Sequence, residues 1–135
     1  MTHRVGKPGP SAALAAFAVL AATAPSQAQI AASLDGTYAG VSAHTVNDGG
    51  RGGCPADMKP DFVPRPLTIS QGRIQGQWGT SDVSGPVQGT VAPDGSVIWR
   101  TNFHGFSGRL VNGTLTGRVT WRNGCNWDPV VWRKQ

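Results

Sequence analysis

Glutamate is missing from the chain, and all seven acidic side chains are aspartate. Beyond residue 28, alanine and leucine are sparse, and no stretch repeats apolar residues at helical spacing over three turns. Glu, Ala and Leu are strong helix formers. Their scarcity, set against 19 glycines, excludes a helical domain. Long apolar runs are also lacking: the stretch 11–24 falls short of the ~20 residues that a membrane-spanning helix needs. Two cysteines, Cys54 and Cys125, are too few for the paired ligand spacing of a structural zinc site. Blocks of Lys and Arg, the usual footprint of nucleic-acid binding, are absent, which argues against a nucleic-acid partner.

What is present begins with a basic start (His3, Arg4, Lys7), the apolar run 11–24, and small residues at Ser26 and Ala28. This order is that of a secretory signal peptide over residues 1–28. It predicts a periplasmic or secreted location, a single β domain over 29–135, and no membrane span once the signal is removed. Arg4 and Lys7 leave with the signal, so the formal charge of +5 overstates that of the mature chain.

The mature part reads as short strands between turn signals. Strands are predicted at 37–46, 66–70, 73–79, 86–92, 96–102, 105–111, 114–121 and 127–134. Gln71-Gly72, Pro93-Asp94-Gly95 and Asn112-Gly113 join three of the pairs. Asn-Gly is a strong two-residue hairpin signal because a type I′ turn needs positive φ at both positions. The expected fold is all-β: an eight-stranded antiparallel up-and-down meander closing into a small barrel or a flattened barrel-like sandwich.

If each strand reverses the last, these three tight turns share one end. The loops 47–65, 80–85, 102–105 and 122–126 share the other, and so do Cys54 and Cys125. In an exported chain two such cysteines predict one disulfide. In a closed barrel it would also fasten the seam between the first and last strands.

Four strands carry apolar-x-Gly-x-apolar: Ile74-x-Gly76-x-Trp78, Val87-x-Gly89-x-Val91, Phe106-x-Gly108-x-Leu110 and Leu115-x-Gly117-x-Val119. Period two puts each glycine on the same, inner face as its apolar neighbours. Mid-strand glycine weakens a strand. We read it here as serving sharp coiling or the packing of tryptophans over glycines, ahead of a ligand cavity. The other face carries Arg100, Arg109, Arg118 and Arg122. Such a face implies weak, salt-sensitive binding to anionic polymers, or simply a solvated surface.

No established chemistry fits the remaining residues. His44, His104 and the loop aspartates match no metal motif, and neither a metal nor a cofactor is read. Residues 49–53 (GGRGG) lack the Lys-Ser/Thr and helix of a phosphate loop. No nucleophile elbow is present, and no catalytic residue is assigned. The outward positions carry Arg, Gln and Thr, unlike the lipid face of an outer-membrane barrel.

The segments LDGTYAGVS, Cys54-Pro55, LTI followed by GRI, and LTGRV followed by Cys125 resemble a group of small uncharacterised exported proteins of Gram-negative bacteria. The plan as a whole is similar to avidin-like and lipocalin-like barrels. That likeness is one of topology and carries no ligand residues with it.

The leading expectation is a non-enzymatic binding or inhibitory module whose partner, a protein or a small molecule, meets the loop end. The contact candidates are His44, Arg51, Asp82, Asn102, His104 and Arg122, because function concentrates on loops held by rigid scaffolds. Two alternatives stand beside it. One is a small hydrolase using loop aspartates. The other is a structural envelope protein acting through the arginine face.

Overall fold

The computed structural model describes residues 24, 26, 33–47, 54, 55, 58, 60–79 and 84–135. The expected signal segment, residues 1–28, lies outside these apart from Ala24 and Ser26. Among the described residues nine strands form: β1 (Gly36–Asn47), β2 (Asp61–Phe62), β3 (Leu67–Ser70), β4 (Arg73–Gly79), β5 (Ser84–Val91), β6 (Ser96–Arg100), β7 (His104–Val111), β8 (Thr114–Trp121) and β9 (Cys125–Lys134). From β3 to β9 each pairs antiparallel with the next, and β1 pairs with both β3 and β9. The sheet is therefore a closed eight-stranded meander barrel, and β2 is one extra short strand beside β1.

The turns follow from their residues. Gln71-Gly72 and Asn112-Gly113 have positive φ at both positions, as a type I′ hairpin requires. In the β5–β6 turn, Asp94 Oδ1 accepts from the Ser96 N–H at 2.9 Å, and Gly95 takes φ 92°. That backbone hydrogen bond holds the Asp94 carboxyl below its ordinary pKa. All three turns lie at one end. At the other end β1, β4, β6 and β8 finish and β5, β7 and β9 begin.

Several boundaries differ from those expected, for physical reasons. The first loop, read as 47–65, contains β2, where Phe62 and Asp61 pair with Ala43 and His44. The sixth strand ends at Arg100 because the Thr101 side chain takes over, accepting from the N–H groups of Phe103 and His104. The last strand starts two residues earlier than expected, since Asn123 Oδ1 accepts from the Cys125 N–H and turns the chain straight into β9. Within β9, the ladders to β1 and β8 both skip at Asp128-Pro129. Pro129 has no N–H to give to a ladder, so a bulge accommodates it.

The inner face is the expected one. Ile74, Trp78, Val87, Val91, Phe106, Leu110, Leu115 and Val119 are buried. Gly89 sits opposite Trp99 across β5–β6, and Gly108 sits opposite Gly117 across β7–β8. A methyl group at Gly117 would meet the Phe106 ring at 2.5 Å and the Ser107 carbonyl oxygen at 2.3 Å. One at Gly89 would meet Trp99 Cβ and the Ile98 carbonyl oxygen, both at 2.3 Å. Aromatic packing is found, with the Phe106 ring rather than a tryptophan over Gly108 and Gly117, and these glycines also let neighbouring backbones approach closely, a use not anticipated from the sequence. Eight strands leave an interior just wide enough to be filled by side chains or to hold one small ligand. Here indole and phenyl rings occupy it.

The interior is graded along its axis. At the tight-turn end it is aliphatic, with Ile69, Ile74, Val91, Val97, Leu110 and Leu115 beside Tyr38. The Tyr38 hydroxyl donates to the Leu34 carbonyl at 2.7 Å. Toward the loop end it becomes aromatic. Cys54 and Cys125 form a disulfide there, with Cα atoms 4.9 Å apart. The register pairs Asn47 with Cys125, so the bridge lies at the loop end of the β1–β9 seam.

Candidate functional site

β4 and β6 run toward the loop end and β7 and β9 start from it, so their inward residues nearest that end meet. These are Trp78, Trp99, His104 and Trp127. Their ring centroids are 5.2 Å apart for Trp78–Trp127, 5.6 Å for His104–Trp127 and 5.7 Å for Trp78–Trp99. Phe62 on β2 closes one side, 5.4 Å from Trp78, and Trp121 lies 5.1 Å from His104.

This cluster has an unusual polar character. Nε1 of Trp78, Trp99 and Trp127 and Nε2 of His104 are buried without a hydrogen-bond partner among the described residues. By contrast, Trp132 Nε1 donates to the Arg65 carbonyl at 3.0 Å. Buried indole N–H groups ordinarily find an acceptor. The His104 tautomer follows from its neighbour. Thr101 Oγ1 already accepts two backbone N–H groups, so it offers its own hydrogen to His104 Nδ1 at 3.2 Å. The ring proton then sits on Nε2. All four atoms are donors toward the loop end, each without an acceptor among the described residues.

Burial pushes the His104 pKa from its ordinary 6.5 down to about 4. The folded protein thus holds this imidazole neutral, and the unfolded chain takes up the proton first. The histidine's contribution to stability is complete above pH 6.5 and is lost as pH falls toward about 4. The urea midpoint should therefore drop between about pH 7 and about pH 4.5, and the drop should be smaller in His104→Phe. An identical drop in both proteins would show that His104 is not its source.

The other candidates separate. His44 points outward, its Nδ1 2.9 Å from Asp61 Oδ1, with both side chains more than half exposed. Asn102 and Arg122 are exposed at the loop end. The pairing of His104 with Trp121 sets their two turns side by side. Phe103, in the β6–β7 turn, is 62% exposed, and the sequence reading missed it. Its signal was an aromatic residue inside a predicted turn. Arg51 and Asp82 lie outside the described residues.

The described aspartates have structural partners. Asp35 accepts from the Gln71 N–H, Asp61 meets His44, Asp94 shapes its turn, and Asp128 pairs with Arg118 at 3.2 Å. Among the described residues, no group of three His, Cys or Asp side chains is placed to hold a metal. On the outer face Arg109 is opposite Thr116 and Arg118 opposite Ser107, the diagonal arrangement expected of this hairpin. Arg109 is tied to the Asp94 carbonyl at 3.1 Å.

Comparison with known proteins returns no matching family model, no matching curated protein and no matching solved structure.

Proposed function

We propose that the protein is a non-enzymatic binding module, acting in the periplasm or outside the cell, that meets its partner at the loop end of the barrel. The observation that carries this reading is the set of four buried donors there, on Trp78, Trp99, His104 and Trp127, without acceptors among the described residues. Leaving such groups unmatched costs stability. A partner presenting oxygen acceptors would satisfy them. The exposed turn pair with Asn102, Phe103 and Arg122 supplies the outer contacts, and aromatic and arginine side chains are enriched at binding surfaces. The likeness to avidin-like and lipocalin-like barrels extends to the plan alone, since here the axis is filled by rings and the contacts belong to one end.

The test compares the wild-type mature domain, immobilised and exposed to periplasmic extract, with Phe103→Ser/Arg122→Ala. These exposed changes should leave the melting temperature in place and remove the retained species. The indole N–H resonances of the wild type should shift when that species is added back. An unchanged retained set, or unmoved indole resonances, would sink the reading.

A further inference from the structure

A second surface, remote in kind from the loop end, lies on the outside of β4, β5 and β6. Alternation turns Arg73 and Gln75, Gln88 and Thr90, and Ile98 and Arg100 outward. Register then arranges them in two cross-strand rows. Arg73 is opposite Thr90, which is opposite Ile98. Gln75 is opposite Gln88, which is opposite Arg100. Between the rows lies a groove of about 740 Å³ with Gly89 among its lining residues. A smaller depression of about 260 Å³ shares Arg73 and Gln75 and extends the surface over β3 to Thr68 and Ser70. Across four strands about 4.8 Å apart, the whole is roughly 14 Å long.

The charges in this groove are uncompensated. Arg118 is paired with Asp128 and Arg109 with a turn carbonyl. Neither Arg73 nor Arg100 has a hydrogen-bond or ion-pair partner among the described residues, and no carboxylate lines either depression. Arg73 and Arg100 stand on strands two spacings, roughly 10 Å, apart and in different rows, so they face each other diagonally across the groove. Between them are two glutamine amides and a threonine hydroxyl, each able both to donate and to accept. Ile98, 62% exposed, is the apolar element, at the β6 end of its row beside Arg100.

We infer that this groove binds an acidic oligosaccharide, with Arg73 and Arg100 each holding a carboxylate of the chain. Guanidinium groups match carboxylates with paired hydrogen bonds. The amides and the hydroxyl match sugar hydroxyls, and Ile98 can cover the C–H face of a ring. The groove's length suits several linked sugars better than one. A single-stranded nucleic acid would need aromatic stacking platforms. The groove's one aromatic lining residue, Trp99, is turned inward and only 3% exposed. A protein partner would need a larger apolar centre than one isoleucine.

The test is calorimetric titration with a short oligogalacturonate, its carboxyl-reduced neutral counterpart, and a single-stranded oligonucleotide. The wild type should bind the acidic sugar and not the neutral one. Arg73→Gln and Arg100→Gln should each weaken binding by roughly ten- to hundredfold, the range for a lost charge-assisted contact. Arg133→Gln, an exposed change on β9, should leave affinity within about twofold, as expected for a distant surface site. All three side chains are exposed, so the variants should melt with the wild type. The proposal fails if the acidic sugar does not bind at millimolar concentration, or if Arg133→Gln weakens binding as much as the groove variants. It also fails if the neutral sugar binds equally, or the oligonucleotide binds more tightly.

Discussion

Gly117→Ala should lower the melting temperature by about 15 °C, while Gly105→Ala, one strand away, should leave it nearly unchanged. Both are glycines in β-strands, and composition alone would rank them equal. The face decides. At Gly105, on the outside, an added methyl would have Thr120 Oγ1 as its nearest neighbour at 3.8 Å, an ordinary contact. Restricting the unfolded chain could even stabilise the protein slightly. At Gly117, on the inside, the methyl would collide with the Ser107 carbonyl oxygen at 2.3 Å and with the Phe106 ring at 2.5 Å. A ring can rotate away, but a carbonyl within the β7–β8 ladder cannot move without breaking that ladder. Overpacking of this kind costs about 3 kcal/mol or more. The double change Gly117→Ala/Phe106→Leu separates the two obstacles and should recover only part of the loss. Full recovery would assign the glycine to ring packing alone. A melting temperature for Gly117→Ala within a few degrees of wild type would remove the close approach of strands as the reason for the glycine belt. Thermal denaturation followed by tryptophan fluorescence reads all of these.

Much of the barrel could be read from the chain because its turns are chemically explicit. Asn112-Gly113 and Gln71-Gly72 set two hairpins, and Gly95 ends a third turn. Once direction is fixed at three turns, alternation assigns the inner face and places both sulfurs at one end. The site was harder to read. His104 was taken as a loop contact, yet it stands two residues before the inward Phe106, and period two already aimed it at the core. His44 gave no such signal. Counting by two from Tyr38 would bury it, but the register shifts between Gly40 and Ser42 and between Ala43 and Thr45 turn Ala43 inward and His44 out. Those shifts answer in part to Pro129 on the neighbouring strand, a relation between residues far apart in sequence. β2 is two residues long in a proline-rich stretch and has no periodicity to detect. The groove was half visible. Arg100 was assigned to the outer face, but its row with Gln75 and Gln88 emerges only when the β4–β5 and β5–β6 registers are combined.

Reduction of Cys54–Cys125 should lower stability by up to about 4 kcal/mol, the chain-entropy value for a loop of this length. The sequence separation is 71 residues. The bridge restrains the unfolded chain, and that effect does not depend on contacts in the barrel. In the folded state the seam has its own ladder, with β1 paired to β9 from Tyr38 through Asn47. The segment after Cys54 is also held without sulfur. The Thr45 hydroxyl donates to the Met58 carbonyl, and the Thr45 N–H donates to the Pro60 carbonyl at 3.2 Å. The reduced barrel should therefore remain closed, with a lower urea midpoint and a slope equal or somewhat steeper, since the freed unfolded chain exposes more surface. Reduced wild type is the cleaner comparison, since Cys125 is fully buried and a serine there would bury a hydroxyl. Cys54→Ala/Cys125→Ala provides a second version that cannot reoxidise. Equal midpoints for oxidised and reduced protein would mean that the bridge restrains nothing the ladder does not already hold. Loss of the β-sheet signal on reduction would mean the reverse, that the β1–β9 ladder cannot close the barrel without its sulfur clasp.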